Sequence, residues 1–250
     1  MALVALLTDF GDSEYAGVLR GVLLRHAPGA TLVDLTHQVP PQGVRTAAWL
    51  LLQAFRYFPA GTVFCCVVDP GVGSERWALA AAGGGYSFVG PDNGLLYPAL
   101  AAAGRPAAFA LPLPPGASAT FHGRDLFAPA AARLAAGATP ADLGSPVEPL
   151  PLHFHRRDRE GEVVHIDRFG NAVTNLPPLP GRQRYQADLR APGGARLWSG
   201  ELPFCPHYAA AAEAAPFLVV GSSNTLEISW KNDSAAAHLP LRAGLHVRLE

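Results

Sequence analysis

The hydrophobic pattern of this chain changes its period once, and that change limits what the chain can fold into. Up to about residue 145, short apolar runs alternate with helical patterns. The run LVALLT at 3–8 reads as a buried strand that stops at Asp9-Phe10-Gly11. Ser13 or Asp12 is placed to cap a helix with Tyr15, Val18, Leu19, Val22 and Leu23 on one face, closed by Pro28-Gly29. A strand at 31–35 follows, then a helix over 43–58 that Pro59 ends. TVFCCVV at 62–68 is continuously apolar and rich in β-forming residues, as expected for a central strand covered on both faces. Segments 77–82 and 86–89 read as a hairpin across Gly83-Gly84-Gly85, followed by a helix near 95–103, a strand at 107–111 and a helix at 124–136. Strands alternating with helices predict βαβ units and a mostly parallel sheet.

The texture then turns. GSPVEPLPLHFHRRDREG at 144–161 is Pro-rich, then charged, and reads as a linker. Beyond it only 208–215 has a helical look. Short β-type segments recur instead, at 162–167, 172–176, 185–189, 217–221, 226–231 and 245–249. Such spacing predicts a small antiparallel sheet or barrel. The expected organisation is an α/β domain over 1–150, a linker over 151–159 and a β-barrel domain over 160–250.

Composition narrows the function classes. With 19 Lys+Arg against 20 Asp+Glu the net charge is −1, which speaks against a basic nucleic-acid-binding surface. Hydrophobic residues at 49% and charged ones at 16% give ample core material and exclude extensive disorder. The three cysteines, Cys65, Cys66 and Cys205, read as reduced core thiols of a cytoplasmic protein. The six-residue apolar N-terminal run has no basic flank or cleavage signal, and no run approaches the length of a membrane span, so neither a secretory leader nor a membrane partner is expected.

Ligands of open α/β sheets bind at the carboxyl ends of the strands. Three strands end there in polar clusters: Asp9, then Asp34-Leu35-Thr36-His37, then Asp69-Pro70-Gly71-Val72-Gly73. Asp9-Phe10-Gly11 lacks the companion motifs of a kinase, DPGVG lacks the Lys-Ser/Thr of a phosphate loop, and Gly83–Gly85 lies between strands, so it is no dinucleotide fingerprint. No HExxH or CxxC is present; Asp9, Asp34, His37 and His122 have the chemistry of metal ligands and leave a metal site open.

Several segments together resemble one family: LLTDFGDSEYAGVLRG (6–21), VDLTHQVPP (33–41), FPAGTVFCCVVDPGVGSER (58–76), FVGPDNGLL (88–96), TFHGRDLFAPAAA (120–132), HIDRFGNAVTN (165–175) and GSSNTLEIS (221–229). They are similar to the S-adenosylmethionine (SAM) hydroxide adenosyltransferases, SAM hydrolases that form adenosine and are related to the fluorinating and chlorinating enzymes using the same substrate. The resemblance implies an α/β N-terminal domain, a β-barrel C-terminal domain, and a homotrimer with sites between one subunit's N-terminal domain and its neighbour's barrel. It implies Asp69, Arg76 and His122 as the water-using catalytic set, where halogenating relatives have Tyr in place of Asp69 and Tyr-Ser in place of His122-Gly123. It assigns Asp9 to the ribose diol, Asp167 to the methionine ammonium, Asn171 to the adenine edge, and Ser222 and Ser223 to a loop meeting the methionine carboxylate and adenine. Halogenating relatives carry Arg at the position of Ser223. SAM is then the substrate, adenosine a product, and no metal or cofactor is expected. The alternatives are a SAM-dependent halogenase or a non-catalytic nucleoside-binding protein.

Overall fold

Two apolar strands, β1 (Leu3–Thr8) and β3 (Val63–Val67), pair in parallel register in the interior of the N-terminal sheet. The computed structural model describes residues 2–104 and 107–250. Because side chains alternate across a strand, the two strands feed two different cores. Val4, Leu6, Val63 and Cys65 pack with Leu19 and Leu23 of α1 (Glu14–His26) and Ala131 of α4 (Ala128–Ala135). Ala5, Leu7, Phe64 and Cys66 pack instead with Ala47 and Leu51 of α2 (Val44–Ala54) and Ala99 of α3 (Tyr97–Ala103). Continuous apolarity in β1 and β3 thus follows from helices on both faces.

The remaining strands are β2 (Thr31–Thr36), β4 (Ala78–Gly83), β5 (Tyr86–Pro91), β6 (Ala107–Leu111) and β7 (Ser145–Val147). Among the described residues the sheet order is β2-β1-β3-β5-β4-β6-β7, with β2, β1, β3 and β5 mutually parallel and β4 and β7 reversed. The chain steps from β1 out to β2 and then crosses to β3 on the other side of β1. That reversal opens a crevice at the carboxyl ends of β1 and β3, where Asp9 and Asp69 follow their strands.

Several local expectations change. The buried face of α1 is Ala16, Leu19 and Leu23, while Tyr15 and Val18 are exposed. Tyr15 instead meets Phe10 and Phe121 edge-on, with ring centroids 5.8 and 5.1 Å away. Ser13 stands at the helix start but donates its hydroxyl proton to the Phe10 carbonyl (2.7 Å), so it does not cap by side chain. The second helix ends at Ala54, followed by a 3-10 turn at Phe55–Tyr57, and a wide π turn at Gly123–Phe127 precedes α4. Part of the expected linker is β7, an edge strand on β6.

The chain divides into two compact units, Met1–Leu152 and His153–Glu250. In the second, every pair of neighbouring strands in the sheet is antiparallel: β8 (Glu160–Ile166), β9 (Ala172–Thr174), β10 (Arg184–Arg190), β11 (Arg196–Pro203), β12 (Pro216–Val220), β13 (Leu226–Trp230) and β14 (His246–Leu249). Their order is β11-β10-β14-β8-β9-β13-β12, and a parallel bridge between Phe204 and Leu218 brings the two edges together into a nearly closed barrel. The strand absent from the sequence reading is β11. Its inward positions are Trp198, Gly200 and Leu202, and because Gly200 has no side chain and Leu197 faces out, the apolar alternation is broken in the sequence RLWSGELP; Arg184 pairs with Glu201 between β10 and β11 on the outer face. Segment 208–215 forms only a 3-10 turn at Tyr208–Ala210, and a short α5 (Ala235–His238) was not foreseen.

Candidate active site

The loop after β3 turns back on itself so that Arg76 reaches Asp69. Gly73 makes this possible: its φ is +79°, and a Cβ there would lie 2.4 Å from the Ala119 carbonyl oxygen. That close approach brings the segment carrying His122 beside Asp69. Arg76 donates from Nε to Asp69 Oδ1 (2.8 Å) and from Nη2 to Asp69 Oδ2, a bidentate pair with little solvent on either side chain. The same Nη2 lies 2.9 Å from His122 Nδ1. A guanidinium can only donate, so Nδ1 accepts and the imidazole proton sits on Nε2. His122 is 4% exposed, and its Nε2 is buried with no hydrogen-bond partner in the protein. Burial, then the adjacent Arg76 charge, push the His122 pKa below its ordinary value. The result is a neutral imidazole with an unused donor.

Asp69 and His122 face a cavity of about 260 Å³ whose wall also includes Asp9, Gln42, Thr120 and Phe121. Asp9 accepts the Gln42 backbone N–H at Oδ2 (2.8 Å). Arg76 stands behind this wall and lines a neighbouring cavity of about 510 Å³, its guanidinium 5.4 Å from the Phe127 ring centroid. Asn93 donates to the Val68 carbonyl (2.9 Å), fixing the end of β3 just before Asp69.

In the second unit, Asp167 closes a tight loop after β8. Its Oδ1 accepts the backbone N–H groups of Phe169 (2.9 Å) and Asn171 (2.8 Å), and its Oδ2 accepts Asn171 Nδ2 (2.9 Å). Both residues line a cavity of about 830 Å³, shared with Ser222, Tyr208, Glu227 and Trp230. Ser223 is not in its wall.

The two family models for the SAM hydroxide adenosyltransferase N-terminal and C-terminal domains match residues 4–144 and 161–248. The chain belongs to the SAM hydroxide adenosyltransferase family. An (R)-S-adenosyl-L-methionine hydrolase of Thermus thermophilus is 42% identical over all of both chains. A fluorinase of Actinoplanes is 26% identical over 98% of this chain and 96% of its own. A crystal structure of an uncharacterised conserved protein from Thermotoga maritima superposes with a TM-score of 0.88 at 30% identity, covering 99% of this chain and all of that one. The adenosyltransferase fold thus accounts for both textures of the sequence.

The metal set left open by the sequence does not assemble. His37 bonds Thr8 through Nδ1 (2.7 Å) and Asp34 through Nε2 (3.0 Å), and Asp34 pairs with Arg20. These contacts tie the strand-end loops together. Among the described residues no three His, Cys, Asp or Glu side chains converge in a metal-holding group, and no helix is long and apolar enough to cross a membrane. All three cysteines are free and buried, and burial pushes the Cys65 thiol up to about 12. Sequence reasoning missed Tyr208 and Glu227. Glu227 sits in the β-type run LEISW, where alternation gives a polar residue no distinction from a solvent-facing one.

Proposed function

We propose that this chain hydrolyses S-adenosyl-L-methionine to adenosine and L-methionine. The observation that carries this reading is the hydrogen-bonded series Asp69–Arg76–His122 opening on the cavity that Asp9 shares. SAM carries its leaving group as a sulfonium, so methionine departs as a neutral thioether and needs neither acid nor metal. The difficulty lies in placing a water molecule in line behind C5′ of the ribose. Asp69, held by Arg76, accepts one proton of that water, while the His122 Nε2–H donates to its oxygen. With its proton on Nε2, His122 orients the water and does not deprotonate it, and the Arg76 guanidinium, which only donates, is no base either. The water oxygen bonds C5′, the C5′–S electron pair returns to sulfur, and the released proton passes to Asp69. Orientation of this kind supplies roughly 7–11 kcal/mol of a barrier.

Asp9 takes the ribose diol, Asp167 the methionine ammonium and Asn171 the adenine edge. Ser222 and Ser223 form the loop meeting the carboxylate and adenine. We infer in addition a cytoplasmic homotrimer with sites completed by neighbouring subunits, on the family resemblance alone; sedimentation gives the mass. The deciding experiment incubates the protein with SAM in oxygen-18 water in the presence of a chelator. One label on the 5′-oxygen of adenosine is expected. Adenosine without label, or no adenosine, overturns the hydrolase reading, and loss of turnover on chelation overturns its metal independence.

A further inference from the structure

The cavity of the second unit has acidic side chains in its wall, Asp167, Glu227 and Asp233, and no basic one. Asp233 is engaged by His238 at 2.8 Å. Asp167 has three protein donors on its two oxygens, which leaves it little free capacity. Glu227 differs. It is 6% exposed and lines the cavity, with Oε2 accepting the Tyr208 hydroxyl (3.0 Å). Its Oε1 has no hydrogen-bond donor in the protein and lies so close to Gly221 that a Cβ there would come within 1.6 Å. A carboxylate oxygen that takes no protein donor, on a side chain in the cavity wall, is free to accept one from a ligand. An alkylammonium has three N–H bonds to place, more than the remaining acceptor capacity of Asp167 supplies.

We propose that Glu227, positioned by Tyr208, is a second binding residue for the α-ammonium of the substrate's amino-acid part and sets the enzyme's demand for that group. The inference rests on the SAM-hydrolase reading. Burial and the nearby Asp167 charge push the Glu227 pKa up, and the same field favours a cation between the two carboxylates.

The test compares wild type with Glu227→Gln and Tyr208→Phe by two readouts. The first is turnover of SAM and of the same sulfonium lacking its α-amino group. The second is calorimetric binding of L-methionine, and of its deaminated counterpart 4-(methylthio)butanoate, at saturating adenosine. Glu227→Gln is expected to raise KM for SAM tenfold or more with kcat within about threefold, to leave kcat/KM for the deaminated sulfonium unchanged, and to abolish the preference for L-methionine. Tyr208→Phe moves the same quantities less. Equal losses for both sulfonium compounds, or an unchanged KM for SAM, overturn the proposal. Absence of turnover in wild type with the methionine preference intact and lost in Glu227→Gln overturns the hydrolase reading and leaves the ammonium subsite standing.

Discussion

Asp69→Asn isolates the chemistry because it exchanges one oxygen for an amide at nearly constant volume. Arg76 now gives Asp69 two parallel N–H donors, one of them at 2.8 Å. The amide presents one acceptor, so one bond survives and the other becomes a donor facing a donor. Losing a charge-assisted bond costs about 1.5–3 kcal/mol. Stranding a buried charge altogether costs about 3–5 kcal/mol, an upper bound here because one bond and the Phe127 ring at 5.4 Å remain. Stability should therefore fall by about 2–4 kcal/mol, read by denaturant unfolding. Turnover loses both the water's acceptor and the held geometry; general-base groups contribute about 10²–10⁴-fold, and a loss in that range is expected from chromatographic detection of adenosine. Affinity for adenosine, measured by calorimetry, should stay within about threefold because Asp9 is untouched. A folded Asp69→Asn protein that turns over within tenfold of wild type refutes the role of Asp69.

Asp9→Ala should weaken adenosine binding by about 1.5–3 kcal/mol, the worth of hydrogen bonds to a carboxylate; unchanged calorimetric affinity removes that contact. The acid limb of kcat/KM should lie below pH 6.5, because burial and Arg76 lower the His122 pKa; a limb at or above 6.5 contradicts the neutral imidazole. The sign for stability is the same. The unfolded imidazole takes a proton near 6.5 that the folded one refuses, so His122 makes stability fall as pH drops below that value, level off below the folded pKa, and stay flat above 6.5. Gly170→Ala places a Cβ 1.9 Å from Ser234 Oγ at a φ of +83°, and overpacking together with the left-handed backbone should cost about 2–4 kcal/mol. KM for SAM should rise with it, since the loop holding Asp167 is displaced; an unperturbed KM separates that loop from substrate binding.

What the sequence alone determined is what short-range pattern encodes. Continuous apolarity made β1 a buried strand and β3 a strand covered on both faces, because such a strand has no polar side. The shift to short alternating segments announced a second, antiparallel unit. The family resemblance, not spacing, pointed to Asp69, Arg76 and His122. Only the tertiary structure decided the rest, since each remaining fact depends on residues far apart in the chain. Tyr15 left the helix's buried face for an aromatic cluster with Phe121, more than a hundred residues away. Strand β11 was hidden because Gly200 interrupts its inward face between Trp198 and Leu202, and pairing with β10 makes the strand. The His122 tautomer is set by Arg76 across 46 positions. Glu227 became a site residue only when the barrel brought Tyr208 and Asp167 to one cavity. Periodicity reports which way a side chain faces; hydrogen-bond partners and fields come from the neighbours that folding supplies.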